Sequence, residues 1–157
     1  MKLFELEVTM ETMILELEPE EVTAEFYETA LPQEAQEAVK DCKFLGLAVG
    51  MPYGFQLYTQ TQWDDLRRRV NTFPSMMQRH MKPFFATLIS LDVNDETGGF
   101  PQILSIPQSL ARYARVEEWP EGENGAKKAL LICLDDGRIY LLRADGKEEF
   151  MNTMCEQ

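Results

Sequence analysis

The chain reads as one structural unit written twice, and that constrains its fold more than any other feature. A first string, Leu31-Pro32-Gln33-Glu34-Ala35-Gln36, is followed by Phe44-Leu45-Gly46-Leu47-Ala48-Val49, a turn at Met51-Pro52-Tyr53-Gly54, and then Phe55-Gln56-Leu57-Tyr58. About 75 residues later comes Ile106-Pro107-Gln108-Ser109-Leu110-Ala111. That string is followed by Ala129-Leu130-Leu131-Ile132-Cys133-Leu134, a turn at Asp135-Asp136-Gly137-Arg138, and Ile139-Tyr140-Leu141-Leu142. Each copy closes on a polar amphipathic stretch, Thr61-Gln62-Trp63-Asp64-Asp65-Leu66 and Gly146-Lys147-Glu148-Glu149-Phe150-Met151. The order both times is proline-led helix, strand, turn, strand, short helix. A small duplicated unit buries its apolar face by packing one copy on the other.

The 157 residues suit one domain or two packed half-domains, divided here as 1–75 and 76–157. Met1-Lys2-Leu3-Phe4-Glu5 runs into acidic alternation without the apolar core of a signal peptide. No apolar run approaches the roughly 20 residues of a membrane helix. Cys42, Cys133 and Cys155 form no CxxC pair, which reads as reduced thiols in a cytoplasm. His80 is the single histidine, so neither a histidine triad nor a multi-histidine metal site is expected. The expectation is a soluble cytoplasmic protein without metal or cofactor.

Charge is unevenly spread. Residues 1–66 hold 14 acidic and 3 basic side chains, net −11. Residues 67–91 hold Arg67, Arg68, Arg69, Arg79 and Lys82 and no acid, net +5, and residues 92–157 return to −6. A chain of net charge −12 repels nucleic acid at long range and forgoes much of the counterion release that drives non-specific binding.

Alternating apolar positions predict strands over 3–9, 13–17 and 22–30, with Glu18-Pro19-Glu20-Glu21 as a turn. Pro32 opens a helix over 32–40, since a proline in the first turn costs no hydrogen bond. Strands 43–49 and 54–59 make a hairpin. Residues 60–72 make a helix with Trp63, Leu66, Val70 and Phe73 on one face. Pro74 stops it, and Ser75 caps a helix over 76–84. Strand 86–93, a polar loop over 94–99 and strand 102–106 lead to a second helix from Pro107 to Val116. Residues 117–126 read as a flexible loop, 129–142 as a hairpin turning at Asp136-Gly137, and the residues after 150 as frayed.

Phe84-Phe85-Ala86, Leu91-Asp92 and Leu104-Ser105-Ile106-Pro107-Gln108-Ser109-Leu110-Ala111-Arg112-Tyr113-Ala114 resemble the MraZ family pattern FFSGA…LD…GRILIPxxLRxYAxL. Arg138-Ile139-Tyr140-Leu141 resembles its DRIEIW strand, and Leu57-Tyr58-Thr59-Gln60-Thr61-Gln62-Trp63-Asp64-Asp65-Leu66 its LYPxxEWeeL. The resemblance covers most of the chain in the right order. It implies an α+β fold of two tandem repeats of the SpoVT/AbrB swapped-hairpin type, forming a β-barrel-like core with short flanking helices. It also implies a homo-oligomeric DNA-binding transcriptional regulator of a division and cell-wall gene cluster, located at the nucleoid.

The departures fall where that family contacts DNA. An Asp-x-x-Gly-Arg turn precedes each proline-led helix in the family. Here Asp92 is kept, but Val93 to Pro101 form an expanded loop, with Gln102 or Ile103 at the arginine's place. In the first copy the turn is Glu18-Pro19-Glu20-Glu21, and the arginine position falls near Tyr27 or Glu28. The helix arginine corresponds to Ala111 or Arg112 in the second copy and Gln36 in the first. An arginine binds guanine or phosphate in two-pronged fashion, and a glutamate repels phosphate. The candidate DNA contacts are therefore in the second copy: Asp92, Asn94, Gly98, Gly99, Gln102, Arg112 and Arg115, with Lys127 and Lys128 nearby.

Other features carry a bland reading beside the sharp one. Arg67-Arg68-Arg69 reads as a phosphate clamp or as a solvated helix face paired with Asp64 and Asp65, the latter favoured. Met76, Met77 and Met81 read as core filler ahead of an adaptable binding surface. Cys133 reads as a buried small hydrophobe, and Asp135-Asp136 lack the spacing of a calcium loop. No nucleophile beside a base, phosphate-binding glycine loop or paired carboxylates stand out, so no enzyme is expected. Two functions stay open: an MraZ-like regulator on double-stranded DNA, or an oligomeric scaffold derived from it that has lost DNA binding and contacts proteins.

Overall fold

The computed structural model describes residues 12–47, 54–79 and 102–155. The expected strands 3–9 and 86–93 and the loop 94–99 lie outside the described residues. The expected 13–17 and 54–59 strands match β1 (Met13–Leu17) and β5 (Gly54–Thr59), and β4 is Cys42–Leu47. With β7 (Ala129–Cys133) and β8 (Ile139–Arg143) these form an antiparallel five-stranded sheet in the order β1-β7-β8-β5-β4. A second, three-stranded antiparallel sheet is ordered β2-β3-β6, from Glu20–Glu21, Phe26–Ala30 and Ile103–Pro107. The fold is α+β. The described strands make two sheets and no closed barrel, so the β-barrel-like core that the resemblance implies is not borne out by them.

Apolar residues at every position of β7, and at every position of β8 before Arg143, explain why the large sheet is central. Successive strand residues point to opposite faces, so Leu131, Ile139 and Leu141 enter one core and Leu130, Ile132, Tyr140 and Leu142 another. The first core lies between the sheets, where Phe55, Leu57 and Leu45 meet Leu104, Ile106, Tyr27 and Leu31. Two short helices, α1 (Gln33–Ala38) and α3 (Gln108–Tyr113), add Ala35, Leu110 and Ala111 to it. Pro32 and Pro107 stand at the same place in each, as extended N-cap residues with φ of −63° and −67°.

The opposite face of the large sheet is covered by α2 (Gln60–Asn71) and α4 (Lys147–Cys155). Trp63 of α2 stacks on Phe44 and Tyr58, at ring separations of 5.3 and 6.3 Å. Phe150 of α4 meets Tyr140 edge-on at 5.1 Å. Residues 151–155, expected to fray, are instead the continuation of α4, which Phe150 anchors. Thr59 caps α2 in a reciprocal box with Gln62, which satisfies two backbone donors at the helix start.

Several local expectations shift. Glu20 and Glu21, expected in a turn, are strand residues paired with Glu28 and Tyr27. The strand expected over 22–30 begins only at Phe26, because the Thr23 hydroxyl accepts from the amides of Glu25 and Phe26 and bends the chain there. The second proline-led helix ends at Tyr113, and a 3-10 turn, Val116–Glu118, follows. The stretch 117–126, expected to be a flexible loop, is tied down by an antiparallel bridge between Glu121 and Lys127 and by buried Trp119 and Ala126. Met76 and Met77, expected in the core, are 77% and 50% exposed. Residues 75–79 are helical, and Gln78 donates to the Asn71 and Phe73 carbonyls, which holds this turn against the end of α2. The Asp136-Gly137 turn is as expected, with Gly137 at φ +93°, a conformation that side chains with a Cβ rarely adopt.

Equivalent strands of the two written copies lie against each other. β3 pairs antiparallel with β6, with Thr29 opposite Leu104, and β5 with β8, with Gln56 opposite Tyr140. In the alignment of the two strings, each of these residues is the counterpart of the one it faces.

Two stability outcomes follow. Trp119 is buried, and its indole N–H donates to the Ala114 carbonyl at 3.0 Å. Trp119→Phe strands that carbonyl and leaves a gap, so it should cost about 1–3 kcal/mol in urea unfolding. Burial pushes the Cys42 thiol up to about 12, the Cys133 thiol to about 11 and the Tyr58 phenol to about 12. The unfolded chain releases these protons near the ordinary 9.0 and 10.0, while the folded chain keeps them. Stability is therefore full below about pH 9 and declines as pH rises from there toward 12. A urea midpoint at pH 10.5 equal to that at pH 8, with disulfides blocked, would contradict this assignment.

Candidate nucleic-acid interface

The surface expected to meet DNA is built around α3. The Gln108 amide donates to the Glu25 carbonyl at 2.7 Å, and its side-chain amide donates to Glu21 Oε2 at 2.8 Å. Both contacts tie the start of α3 to the β2–β3 hairpin of the first copy. Leu110, Ala111 and Ala114 face the core, so the helical period leaves Arg112 and Tyr113 outside. The helix ends on Arg115, whose φ of 54° and ψ of 46° are left-handed, and whose carbonyl accepts from the Glu118 amide at 2.9 Å.

A groove of about 380 Å³ opens between α3 and the hairpin, lined by Glu21, Tyr27, Gln108, Arg112 and Glu117 with Ala24 and Ala111. The Tyr27 phenol is pushed above its ordinary value, first by burial and then by Glu21, with Glu117 adding and Lys127 opposing. Two carboxylates thus share the lining of the groove with Arg112. Lys127 does not offset them toward solvent. Its ammonium donates to the Glu117 carbonyl at 2.8 Å and to Glu121 Oε1 at 2.9 Å, and its side chain is 12% exposed. That pairing holds the exposed Glu121 carboxyl below its usual value.

Of the expected contact residues, Arg112 lines this groove, while Gln102 and Arg115 do not. Gln102 stands before β6, where its carbonyl accepts from the Leu31 amide at 2.9 Å. Arg115 lies past the far end of α3, and Lys128 is exposed beyond the 117–126 segment. Asp92, Asn94, Gly98 and Gly99 lie outside the described residues. Glu21 of the first copy and Arg112 of the second line one groove, which the Gln108–Glu21 bond bridges. Glu21 and Tyr27 were singled out only as part of the first copy, and Gln108 and Glu117 were not singled out as site residues, because the Gln108–Glu21 contact that brings the two copies together spans 87 positions. Among the described residues no group of three or more histidines, cysteines and carboxylates is arranged to hold a metal ion. No described helix is long and apolar enough to cross a membrane.

The surface can accept hydrogen bonds at Glu21 and Glu117 and offer cationic donors at Arg112. It cannot present a continuous cationic track to phosphates. Comparison with family models, with curated proteins and with solved structures finds no match.

The left-handed backbone at Arg115 separates a positional role from a contact role. A β-branched residue tolerates that conformation worst and asparagine well. Arg115→Val should destabilise the fold by about 1–2 kcal/mol, while Arg115→Asn leaves it unchanged or slightly stabilised. Equal melting temperatures for the two variants would refute the conformational reading.

Proposed function

We propose that this chain is an MraZ-like tandem-repeat protein, a homo-oligomeric cytoplasmic DNA-binding transcriptional regulator with a divergent contact surface. The observation that carries the reading is the pairing of counterpart strands. In a duplicated swapped-hairpin unit, the two equivalent strands meet antiparallel about a local two-fold axis, and the residue on that axis faces its own counterpart. Thr29 opposite Leu104 and Gln56 opposite Tyr140 fit that requirement at two independent strand pairs. The matched prolines before α1 and α3 and the matched helices α2 and α4 after each hairpin agree with it. Closure of these strands into the family's barrel is not needed for the pairing.

The DNA contacts in this reading come from the second copy, from Arg112 and Arg115 with Lys128. Few cations per subunit imply weak binding per subunit, so affinity rests on several subunits engaging one duplex. A second reading, an interaction scaffold that no longer binds DNA, is favoured by one observation: Glu21 and Glu117 flank Arg112. At 0.1 M salt, charges within about 10 Å are incompletely screened, so those carboxylates oppose an approaching phosphate.

Binding to the DNA upstream of the protein's own gene, measured at low salt, tests both. The double variant Arg112→Glu, Arg115→Glu should abolish the shift, and Glu21→Gln with Glu117→Gln should strengthen it. A shift unchanged by the arginine reversals would sink the assignment of those residues. No shift by any of the three proteins would leave the scaffold as the better reading.

A further inference from the structure

Two exposed surfaces of this chain carry opposite charge and similar apolar character. The first is the β2–β3 hairpin. Glu20 lies directly opposite Glu28, with Glu25 in the connecting bend, and Val22 and Phe26 are 54% and 36% exposed among them. Like charges directly opposite one another across a strand pair repel. None of Glu20, Glu25 and Glu28 has an ion-pair partner among the described residues. The second surface runs from α2 into the helical turn after it. Arg67, Arg68, Arg69 and Arg79 are exposed there with Met76 and Met77. Among the described residues, only Arg68 of these has a carboxylate partner, Asp65 on the same helix. No ion pair joins the two surfaces within the chain among the described residues.

We propose that the arginine- and methionine-bearing surface of one copy docks on the glutamate hairpin of a second copy. The reading deepens the assembly part of the function proposed above and does not depend on DNA. The occupant follows from charge complementarity. Every acidic partner meets the same overall repulsion from a chain of net charge −12, so what singles out a second copy is its own hairpin, where glutamates unpaired among the described residues stand beside exposed Val22 and Phe26. A second copy offers a hairpin on which three glutamates surround two apolar side chains, against a face on which four arginines surround two methionines. Methionine is unbranched and polarisable, and it adapts its shape to neighbours such as Val22 and Phe26. The arginines would also relieve the Glu20–Glu28 repulsion that the isolated chain leaves uncompensated. Overall repulsion between two acidic copies acts at distances beyond the Debye length of about 8 Å at physiological salt, where it is screened. Ion pairs in contact lie well inside that length and keep most of their attraction. The two surfaces differ, so the contact is head-to-tail, and the pair keeps one unused surface of each kind through which association continues.

The test is a charge-exchange experiment read by light scattering over a protein concentration series at physiological salt, about 0.15 M. One variant carries Arg67→Glu, Arg69→Glu and Arg79→Glu. The other carries Glu20→Lys, Glu25→Lys and Glu28→Lys. All six positions are away from the buried cores, and unchanged circular dichroism and melting check that both variants fold. Each variant alone should lose association by about tenfold or more. An equimolar mixture should regain it, because both contacts in an alternating assembly again join opposite charges. The glutamate variant is especially telling, since it halves the net charge of −12 and would associate more strongly if global repulsion were in control. Met76→Ser with Met77→Ser should weaken association without altering charge. A wild-type protein that self-associates while both triple variants behave as it does would overturn the docking and leave oligomerisation standing. A wild type that stays monomeric throughout overturns both. An arginine variant that keeps its mass but loses promoter binding assigns that face to DNA phosphates instead, and also overturns the docking.

Discussion

The fold depends on one sheet being dry on both faces. β7 and β8 carry apolar side chains at consecutive positions, so each strand needs cover above and below. One cover is the three-stranded sheet with α1 and α3, and the other is the pair α2 and α4. The two covers are supplied half by each written copy, so neither copy buries its hairpin alone. β1 of the first copy pairs with β7 of the second, and β5 of the first with β8 of the second. Truncation of either half would expose the faces that Leu131, Leu141 and Phe55 now close. At about 25 cal/mol per Å² of apolar surface, losing one cover removes more than the marginal net stability of an ordinary domain.

How far the sequence is legible follows from how local each signal is. β5 and the 129–142 hairpin could be read because alternation, an Asp-Gly turn and length are all local. Pro32 and Pro107 mark helix starts for the same reason: a fixed φ and a missing N–H act within a single turn. α2 was legible from its four apolar positions, although Trp63 turns out to rest half-buried on Phe44 and Tyr58 and not in a deep core. The distribution of strands over two sheets was not legible, because β1 finds β7 across more than a hundred residues and no local pattern encodes that choice. Met76 and Met77 were misjudged since helical spacing gives a face but not its cover. Of the candidate site, the exposure of Arg112 could be read from the helix period. Its carboxylate neighbours could not, since Glu21 arrives from the other copy.

Placing those carboxylates beside α3 changes what the second copy can do with its arginines. An arginine reaching for phosphate gains from a charge-assisted, two-pronged contact only if its surroundings do not cancel the charge. Here Glu21 holds Gln108, Glu117 lines the same groove, and Lys127 is committed to Glu121 and the Glu117 carbonyl. Any affinity for DNA must then come from summing weak sites, which makes assembly a condition of function and not an accompaniment to it.

That condition bears on the acidity of the chain. Net charge this negative keeps copies apart unless some surface reverses the sign, and the one segment that does so runs from Arg67 to Lys82. Its described part is exposed, with methionines left uncovered, on the sheet face opposite the α3 groove. The glutamate hairpin proposed to receive this surface borders the α3 groove through Glu21, Ala24 and Tyr27, so docking there brings a second copy's arginines next to the groove. The same acidity that weakens contact with phosphate also makes the arginine face selective, because among acidic surfaces only one with matching apolar residues adds burial to the charge attraction. Specificity in this chain is thus carried by a minority of cations set against a strongly anionic background.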